Sequence, residues 1–316
     1  MEAVKRVQEY LGKAPKWVIY ALAAYGLLRT VKAALCPLAA VWRYKLRGLG
    51  SLLQRYGKDS YVLVTGASDG VGKALAYQFA ALGFSLVLVA RREALLEAIK
   101  ADITGKFHVS VVSISFDLSQ GASFPQLTAG ILERISGLDV SILINNAGMA
   151  QDIIPFTQLT TSAIENLLHL NLVAPTLLTH LLMKQLAARQ YRSAVVNVSS
   201  LLGQIPAYGA SVYAGTKAYL RFLTYAVGEE AKDKVDFLTV NLGATTTAMT
   251  EYNKDFFSVM PEEVAYGIAR DLGKYRETDA TFRQHVSVSL LHLFPLSTGI
   301  AISSRILRKF AARNSS

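Results

Sequence analysis

Residues 196–217 have the sequence VNVSSLLGQIPAYGASVYAGTK, and this stretch decides how the rest of the chain is interpreted. An apolar run ends in two serines, the second of them Ser200, and Tyr213 precedes Lys217 by four residues. In a helix that begins near Ser211, the tyrosine and the lysine lie one turn apart on the same face. A neighbouring ammonium lowers the pKa of a phenol from about 10, which suits the pair to proton transfer. With the serine hydroxyl, the pattern predicts a site that acts on an alcohol or carbonyl oxygen.

The pattern from residue 61 onward predicts an α/β fold. Short runs of Val, Ile and Leu alternate with segments of helical period, which is typical of a parallel sheet covered on both faces. We therefore predict a Rossmann-type, doubly wound sheet with its ligand at the C-terminal ends of the strands. The predicted strands are Tyr61–Val64, Ser85–Ala90, Val109–Phe116, Val140–Ile144, Ala194–Val198 and Phe237–Leu242. The predicted helices are Gly72–Leu82, Glu93–Ile103, Phe124–Ile135, Ser162–Arg189, Val212–Ala231 and one begun by a proline, Pro261–Asp271.

The first predicted strand ends in the turn TGASDGVG, residues 65–72, which leads directly into a helix. Glycines let the backbone turn sharply and approach a pyrophosphate, which then lies at the helix N-terminus. A glycine turn between a strand and a helix is a stronger signal than an isolated glycine triplet. We predict a dinucleotide site formed by Gly66, Ser68, Asp69, Gly70, Val71 and Gly72.

The ends of the next two strands predict which dinucleotide binds. Arg91 and Arg92 stand where a cofactor selective for NAD needs an acidic residue, and arginine suits the 2′-phosphate of NADPH/NADP+. Two solvated arginines at a helix start are the alternative. Asp117 is placed to accept a hydrogen bond from the adenine amino group or, equally, to cap a helix.

The positive charge of the chain is concentrated at its N-terminus. The formal net charge is +10, and residues 1–58 carry +9 of it, from eleven Lys and Arg against two Glu. A nucleic-acid-binding protein needs its basic excess on a folded face, so we predict no nucleic-acid partner. Interleaved with tryptophan and tyrosine, these charges indicate a membrane surface instead. The single Cys36 forms no internal disulfide and does not indicate an oxidising compartment.

Apolar segments at both ends predict membrane association. Two short apolar runs between Trp17 and Trp42 are separated by cations, so we expect a helical hairpin that turns near Arg29–Lys32 or Pro37. A helix packed on the protein's own surface is the alternative. The uncharged run 285–304 is followed by basic residues. It favours an interfacial helix pair interrupted at Pro295 and Gly299, while a helix that covers the core is the alternative for its first half.

These segments divide the chain into three parts. Residues 1–58 are the predicted basic and apolar membrane-anchoring segment. Residues 59–273 are the predicted NADP-binding catalytic domain, and residues 274–316 are the predicted membrane-associated tail.

The run Asn145-Asn146-Ala147-Gly148, with the glycine turn and the Tyr213–Lys217 pair, resembles the short-chain dehydrogenase/reductase family. The resemblance covers roughly residues 61–273. The run VTGASDGVGK and the apolar ends also resemble the branch of very-long-chain 3-ketoacyl-CoA reductases and 17β-hydroxysteroid dehydrogenases.

The family resemblance implies roles for single residues. Asn171 matches the asparagine that holds a proton-relay water, and Ser200 matches the substrate-orienting serine, thirteen residues before Tyr213. Lys217 is implied to hold the nicotinamide ribose and to lower the tyrosine pKa. The catalytic set is then Asn171, Ser200, Tyr213 and Lys217. The further implied cofactor contacts are Asn145, Ala147, Gly148, Tyr213, Lys217, Gly243, Thr245 and Thr247.

The loop after the sixth strand departs from the family pattern. Members have Pro-Gly and then a Thr that reaches the nicotinamide carboxamide, whereas this chain has Leu242-Gly243, with Thr247 at the fitting spacing. Without the proline, we expect a loop that is more mobile or differently placed. Residues 250–260 are the predicted substrate lid, with an apolar lining of Tyr252, Phe256, Phe257 and Met260.

The predicted function is an NADPH-dependent reductase of a lipid ketone. The first choice is 3-ketoacyl-CoA to 3-hydroxyacyl-CoA in very-long-chain fatty-acid elongation, and the alternative is a 17β-hydroxysteroid or retinoid dehydrogenase. A non-catalytic, cofactor-sensing membrane protein is the alternative of another class. The resemblance implies as partners a lipid or acyl-CoA substrate, membrane lipids, other elongation enzymes and a second copy in a homodimer, with no metal. It also implies the endoplasmic reticulum membrane, with the catalytic domain facing the cytosol.

Overall fold

The computed structural model describes residue 2 and residues 15–120, 123–247 and 258–314. By its internal contacts the chain divides into two compact units, residues 1–47 and 48–316. In the first unit, helix α1 spans Lys16–Val41 and passes into a π-helical turn, Trp42–Leu46. The three-part division at residues 58 and 273 stays a prediction.

Helix α1 is continuous, so the expected hairpin is wrong. Arg29 and Lys32, with the leucines before them and the alanines after them, have high helix propensity and carry the helix through the β-branched Thr30 and Val31. Pro37 lies inside the helix, where it removes one backbone hydrogen bond without ending it. Large apolar side chains are exposed along the helix: Trp17, Tyr20, Leu22, Tyr25, Leu27, Leu28, Leu35 and Leu38.

The second unit is built on a seven-stranded parallel sheet, which confirms the predicted doubly wound fold. The strands are β1 Tyr61–Thr65, β2 Ser85–Ala90, β3 Val111–Ser115, β4 Val140–Asn145, β5 Ser193–Ser200, β6 Val235–Leu242 and β7 Glu277–Thr278. Their order is β3-β2-β1-β4-β5-β6-β7. The chain therefore adds β2 and β3 on one side of β1, and then crosses over to add β4 to β7 on the other side. A ligand crevice is expected at this reversal of strand order. Strand β7 was not predicted, because two residues are too few to give a periodic signal.

Helices cover both faces of the sheet. They are α2 Leu52–Tyr56, α3 Gly70–Ala81, α4 Glu93–Phe107, α5 Phe124–Leu127, α6 Thr161–Leu168, α7 Ala174–Ala188, α8 Ser211–Glu230, α9 Pro261–Asp271, α10 Phe282–His292 and α11 Leu296–Asn314. Two predicted helices contain π-helical turns, Thr128–Leu132 after α5 and His169–Val173 between α6 and α7.

The alternating side chains of the strands divide the core into two layers. On β1, Val62 and Val64 pack with helices α3, α4 and α9, whereas Leu63 packs on the other face with α7. Within the described residues, the stretch 161–188 is the one helical segment long and apolar enough to cross a membrane. Its side chains Leu178 and Leu182 are buried in the core, which accounts for its apolar composition.

The tail forms the predicted pair of helices, α10 and α11. The break falls just before α11, at Pro295, as expected. Gly299 lies inside α11 and does not interrupt it. Exposed apolar side chains mark the junction of the two helices: Leu290, Leu293, Phe294 and Leu296.

Candidate active site

The glycine turn lies between the C-terminal end of β1 and the first turn of α3. Gly66 and Gly70 have φ values of +68° and +52°, a region that favours glycine. The carboxylate of Asp69 caps α3 by accepting the N–H of Gly70 at 2.7 Å. Ser68 is half-buried in the turn and Val71 is buried in the first turn of α3. The backbone N–H groups at this helix end are suited to a phosphate.

Gly72 is packed so closely that no other residue fits. A Cβ atom there would lie 2.1 Å from the carbonyl oxygen of Gly66. The side chain of Asn146 closes the turn from the other side, because its Nδ2 donates to the carbonyls of Thr65 at 2.9 Å and Gly66 at 3.4 Å. The sequence motif contains Asn146, but our predicted site omitted it. The Thr65 hydroxyl in turn accepts the N–H groups of Asn146 and Ala147, each at 3.0 Å.

Two arginines and two carboxylates surround the predicted adenosine end. Arg91 and Arg92 have side chains 70% and 57% exposed, so a ligand can reach them. Arg91 lies 4.0 Å from Asp117, and Arg92 lies 3.5 Å from Asp69. Asp117 also accepts the Ser119 N–H at 2.9 Å. The Asp117 carboxylate thus holds its own loop and faces Arg91.

Asn145 points into the core. Its Nδ2 donates to Asn197 at 2.8 Å and Thr179 at 3.1 Å. Asn145 and Asn197 are register partners on β4 and β5, so this bond ties two central strands together. These contacts support the strand that carries the site.

Ser200 and Tyr213 form the centre of the site. Ser200 is the last residue of β5, and its hydroxyl donates to the carbonyl of Leu242 at 3.3 Å and accepts the N–H of Leu202 at 3.2 Å. The same hydroxyl lies beside the phenol of Tyr213 in the first turn of α8, close enough to lower its pKa. The hydroxyl of the neighbouring Ser199 instead donates to the carbonyl of Lys217 at 2.7 Å, which fixes α8 against the strand. The geometry therefore brings Ser200, and not Ser199, to the phenol.

Lys217 lies on the same helix face as Tyr213, but its effect differs from the prediction. Its Nζ lies 5.7 Å from the centre of the tyrosine ring and donates to the carbonyl of Val198 at 2.8 Å. Burial raises the pKa of Tyr213, and the neighbouring hydroxyl of Ser200 lowers it by less. The expected lowering by lysine is not present, because the ammonium faces the ring and a strand carbonyl. Burial also lowers the pKa of Lys217 to about 8.

Asn171 lies in the π-helical turn between α6 and α7, a feature often found at functional sites. It is fully buried, and its side chain pairs with both backbone groups of Met149, at 2.9 Å each. A Cβ atom on Gly148 would lie 3.2 Å from Asn171 Oδ1 and 3.3 Å from Lys217 Nζ. The side chains of Asn171 and Lys217 thus converge on Gly148.

Gln151 is a site residue that sequence reasoning missed. Its Oε1 accepts the backbone N–H groups of Val212 at 2.9 Å and Tyr213 at 3.1 Å, and its Nε2 donates to Gly209 at 2.8 Å. One buried amide therefore caps the helix that carries the tyrosine. No sequence signal links residues so far apart in the chain.

The loop after β6 is held in place despite its missing proline. Gln284 of α10 donates to the carbonyl of Ala244 at 3.3 Å and approaches the Thr245 hydroxyl at 3.4 Å. Gly243 packs on the same glutamine. Thr247 lies over the glycine turn, since a Cβ atom on Gly70 would be 3.0 Å from its methyl group. Of the predicted lid, residues 250–257 lie outside the described residues, and Met260 is exposed just before α9.

These residues fit a dinucleotide. The turn after β1 has glycine at the positions where a Cβ atom would collide with neighbouring atoms, and it leads into the N-terminus of α3. The Ser200–Tyr213 pair lies on β5 and α8, beyond the point at which the strand order reverses. A cradle for the cofactor and a proton-transfer pair on the same edge of the sheet define a class, the dinucleotide-dependent oxidoreductases.

Comparison with known proteins places the chain within that class. Residues 60–256 match the family of short chain dehydrogenases, and the chain belongs to this family. It is 33% identical to a very-long-chain 3-oxoacyl-CoA reductase of Pyricularia oryzae, over 70% of this chain and 67% of that protein. It is 31% identical to human 17-beta-hydroxysteroid dehydrogenase type 3, over 72% and 70% of the two chains. A short-chain dehydrogenase of Sphingobium yanoikuyae in complex with NADPH superposes with a TM-score of 0.57 at 31% identity, covering 74% of this chain and 84% of that one.

Proposed function

We propose that the protein is an NADPH-dependent reductase of a lipid ketone. The observation that carries this proposal is the pairing of Ser200 with Tyr213, with the buried Lys217 beside the tyrosine ring. The preference for NADPH is supported by the two exposed arginines that follow β2, because guanidinium groups suit a 2′-phosphate. NADPH supplies the hydride that reduces the carbonyl carbon.

The chain's own groups handle the oxygen and its proton. Tyr213 donates its phenolic proton to the carbonyl oxygen, and its raised pKa keeps that proton available at neutral pH. The Ser200 hydroxyl orients the same oxygen. Lys217 binds the nicotinamide ribose. Lys217 and a water held by Asn171, whose side chains converge on Gly148, relay the replacement proton to Tyr213 from solvent.

A pH profile separates the lysine from the tyrosine. Because the pKa of Lys217 is lowered to about 8, its ammonium is present below that pH and is lost above it. We expect kcat/KM for ketone reduction to fall as pH rises through about 8. In Lys217→Arg, which keeps its charge, the fall should move towards the higher pH at which the raised pKa of Tyr213 is reached. An unchanged profile in this variant contradicts the role of the lysine.

The substrate that we propose is a long-chain 3-ketoacyl-CoA. This choice is supported by the relatives named very-long-chain 3-oxoacyl-CoA reductase. The N-terminal segment, at +9 over residues 1–58, can attract the phosphates of CoA and an anionic membrane. A 17β-hydroxysteroid is the second candidate, supported by the similarity to the human type 3 enzyme.

Membrane association is part of the proposal. Helix α1 exposes apolar side chains along its length, and the junction of α10 and α11 exposes another apolar group. Both surfaces are suited to lipid. We further propose the endoplasmic reticulum membrane, with the catalytic domain facing the cytosol, and contacts with other elongation enzymes or a second copy of the chain.

The test of substrate is NADPH consumption by detergent-purified protein. A long-chain 3-ketoacyl-CoA and a 17-ketosteroid are offered in parallel, and we expect turnover of the acyl-CoA. Turnover of the steroid alone moves the assignment to the second candidate. NADPH binding without reduction of either ketone contradicts the proposed substrate and favours a cofactor-sensing protein.

A further inference from the structure

Glu277 lies on the edge strand β7 and accepts hydrogen bonds from side chains of three other segments. Gln204 donates to Oε1 at 3.0 Å and Asn241 of β6 at 2.5 Å. Arg221 of α8 binds both carboxylate oxygens, with Nε 2.8 Å from Oε1 and Nη2 3.1 Å from Oε2. The hydroxyl of Tyr225, also on α8, donates to Oε2. One carboxylate thus ties two strands, a helix and a loop together.

Two of these segments carry the reacting groups. Gln204 follows the 3₁₀ turn that begins directly after Ser200. Arg221 is four residues after Lys217 on α8, so it lies one helical turn further along the same face. The loop and the helix also touch, because a Cβ atom on Gly203 would lie 2.8 Å from the carbonyl carbon of Lys217. Glu277 therefore joins the serine side of the site to the tyrosine and lysine side.

The environment of this carboxylate favours a rigid arrangement. The side chains of Arg221 and Glu277 are 30% and 24% exposed, so water screens their ion pair less than it screens a surface pair. The pairing is bidentate, which fixes the orientation of both groups as well as their distance. The remaining three donors restrict the carboxylate further.

We propose that Glu277 is a positioning residue for proton transfer, which holds the loop after Ser200 in register with the helix that carries Tyr213 and Lys217. It touches neither substrate nor cofactor. The inference rests on the proposed reductase function for its kinetic consequence, since the distance between the serine and tyrosine hydroxyls matters only while a carbonyl oxygen is held between them. The structural consequence, a loop fixed to the helix, is independent of the substrate.

The first test is Glu277→Gln, which keeps the shape of the side chain and removes its charge. We expect kcat to fall by about 10- to 100-fold, because small displacements of reacting groups have effects of this size. The affinity for NADPH should change much less than kcat, because none of the hydrogen-bond partners of Glu277 described above belongs to the glycine turn. Rates are compared well below each variant's Tm, so that every sample is folded.

Two further variants make the test specific. Gln204→Leu removes only the link between Glu277 and the loop, and it should also lower kcat. The double variant Glu277→Gln/Gln204→Leu should lose little more activity than Glu277→Gln alone, because both changes break the same contact. Glu229→Gln is the matched control. Glu229 binds Lys232 at 2.7 Å and Arg276 at 2.8 Å, and its side chain is 55% exposed, so its replacement should leave kcat unchanged.

A second measurement needs no substrate. Hydrogen exchange of the NADPH-saturated full chain should be faster over residues 201–205 in Glu277→Gln and Gln204→Leu, and unaltered in Glu229→Gln. A lower Tm with unchanged exchange over this loop overturns the inference, and so does unchanged kcat in an active enzyme. If the wild type reduces none of the ketones offered, the proposed function fails, and the exchange experiment still decides the role of Glu277.

Discussion

Replacing Tyr213 with Phe is expected to lower kcat by about 10²- to 10⁴-fold, the range that general acid catalysis contributes. The Tyr213 hydroxyl lies beside Ser200, and its raised pKa keeps it protonated at neutral pH. No other group in our proposed mechanism donates a proton directly to the substrate oxygen. Phenylalanine keeps the ring that packs beside Lys217, with Nζ 5.7 Å from the ring centre, so the fold and the cofactor site should persist.

The measurement is steady-state NADPH oxidation with the ketone that the wild type reduces, together with a fluorescence titration of NADPH. Tyr219→Phe is the matched control. It lies on the same helix, is 37% exposed, and its hydroxyl accepts a hydrogen bond from Thr176 at 3.2 Å. We expect wild-type kcat in the control and an unchanged NADPH affinity in both variants. Full turnover in Tyr213→Phe would refute the assignment of the proton donor.

The Tyr213–Lys217 pair could be predicted from the sequence because its geometry is local. Tyr213 and Lys217 are four residues apart, so any helix brings them to one face. Ser200 could be predicted for a related reason, since it ends an apolar strand of a parallel sheet whose C-terminal edge forms the ligand crevice. The direction in which the pKa of Tyr213 is shifted could not be predicted from the sequence. It depends on burial and on which way the ammonium points, and the lysine instead donates to Val198.

The residues that support this pair could not be predicted from the sequence, because their contacts join segments far apart in the chain. Gln151 caps the helix of Tyr213 from 62 residues away, and Glu277 reaches Arg221 across 56 residues. Gln284 binds the loop at Ala244 from 40 residues further along the chain. A single amide or carboxylate gives no periodic signal, so only the folded backbone brings such partners together.

In helix α1, the cost of placing cations in a membrane and the helix propensity of the same residues favour different structures. Cations between two apolar runs are costly in a membrane and favoured a turn. The same residues have high helix propensity, and the helix runs through them to Val41. The backbone preference of the segment therefore decided its structure.

Replacing Gly72 with Ala is expected to weaken NADPH binding by about 10- to 100-fold, which corresponds to about 1–3 kcal/mol. The new methyl group would lie 2.1 Å from the Gly66 carbonyl oxygen and 2.5 Å from Nδ2 of Asn146. The nearer of these atoms belongs to the backbone, so the turn must open, and the hydrogen bonds from Asn146 to Thr65 and Gly66 are then strained. Opening the turn separates the glycine backbone from the start of α3, where a pyrophosphate is held.

Gly105→Ala is the matched control for this substitution. Gly105 is exposed in α4, and a Cβ atom there has no neighbour within 4 Å. Alanine in such a helix should stabilise the protein by about 0.5–1 kcal/mol without altering NADPH affinity. NADPH fluorescence gives the affinities, and thermal unfolding with and without saturating NADPH separates a damaged cofactor site from a general loss of stability. A Gly72→Ala protein with wild-type affinity would mean that the cofactor lies elsewhere than in the turn between β1 and α3.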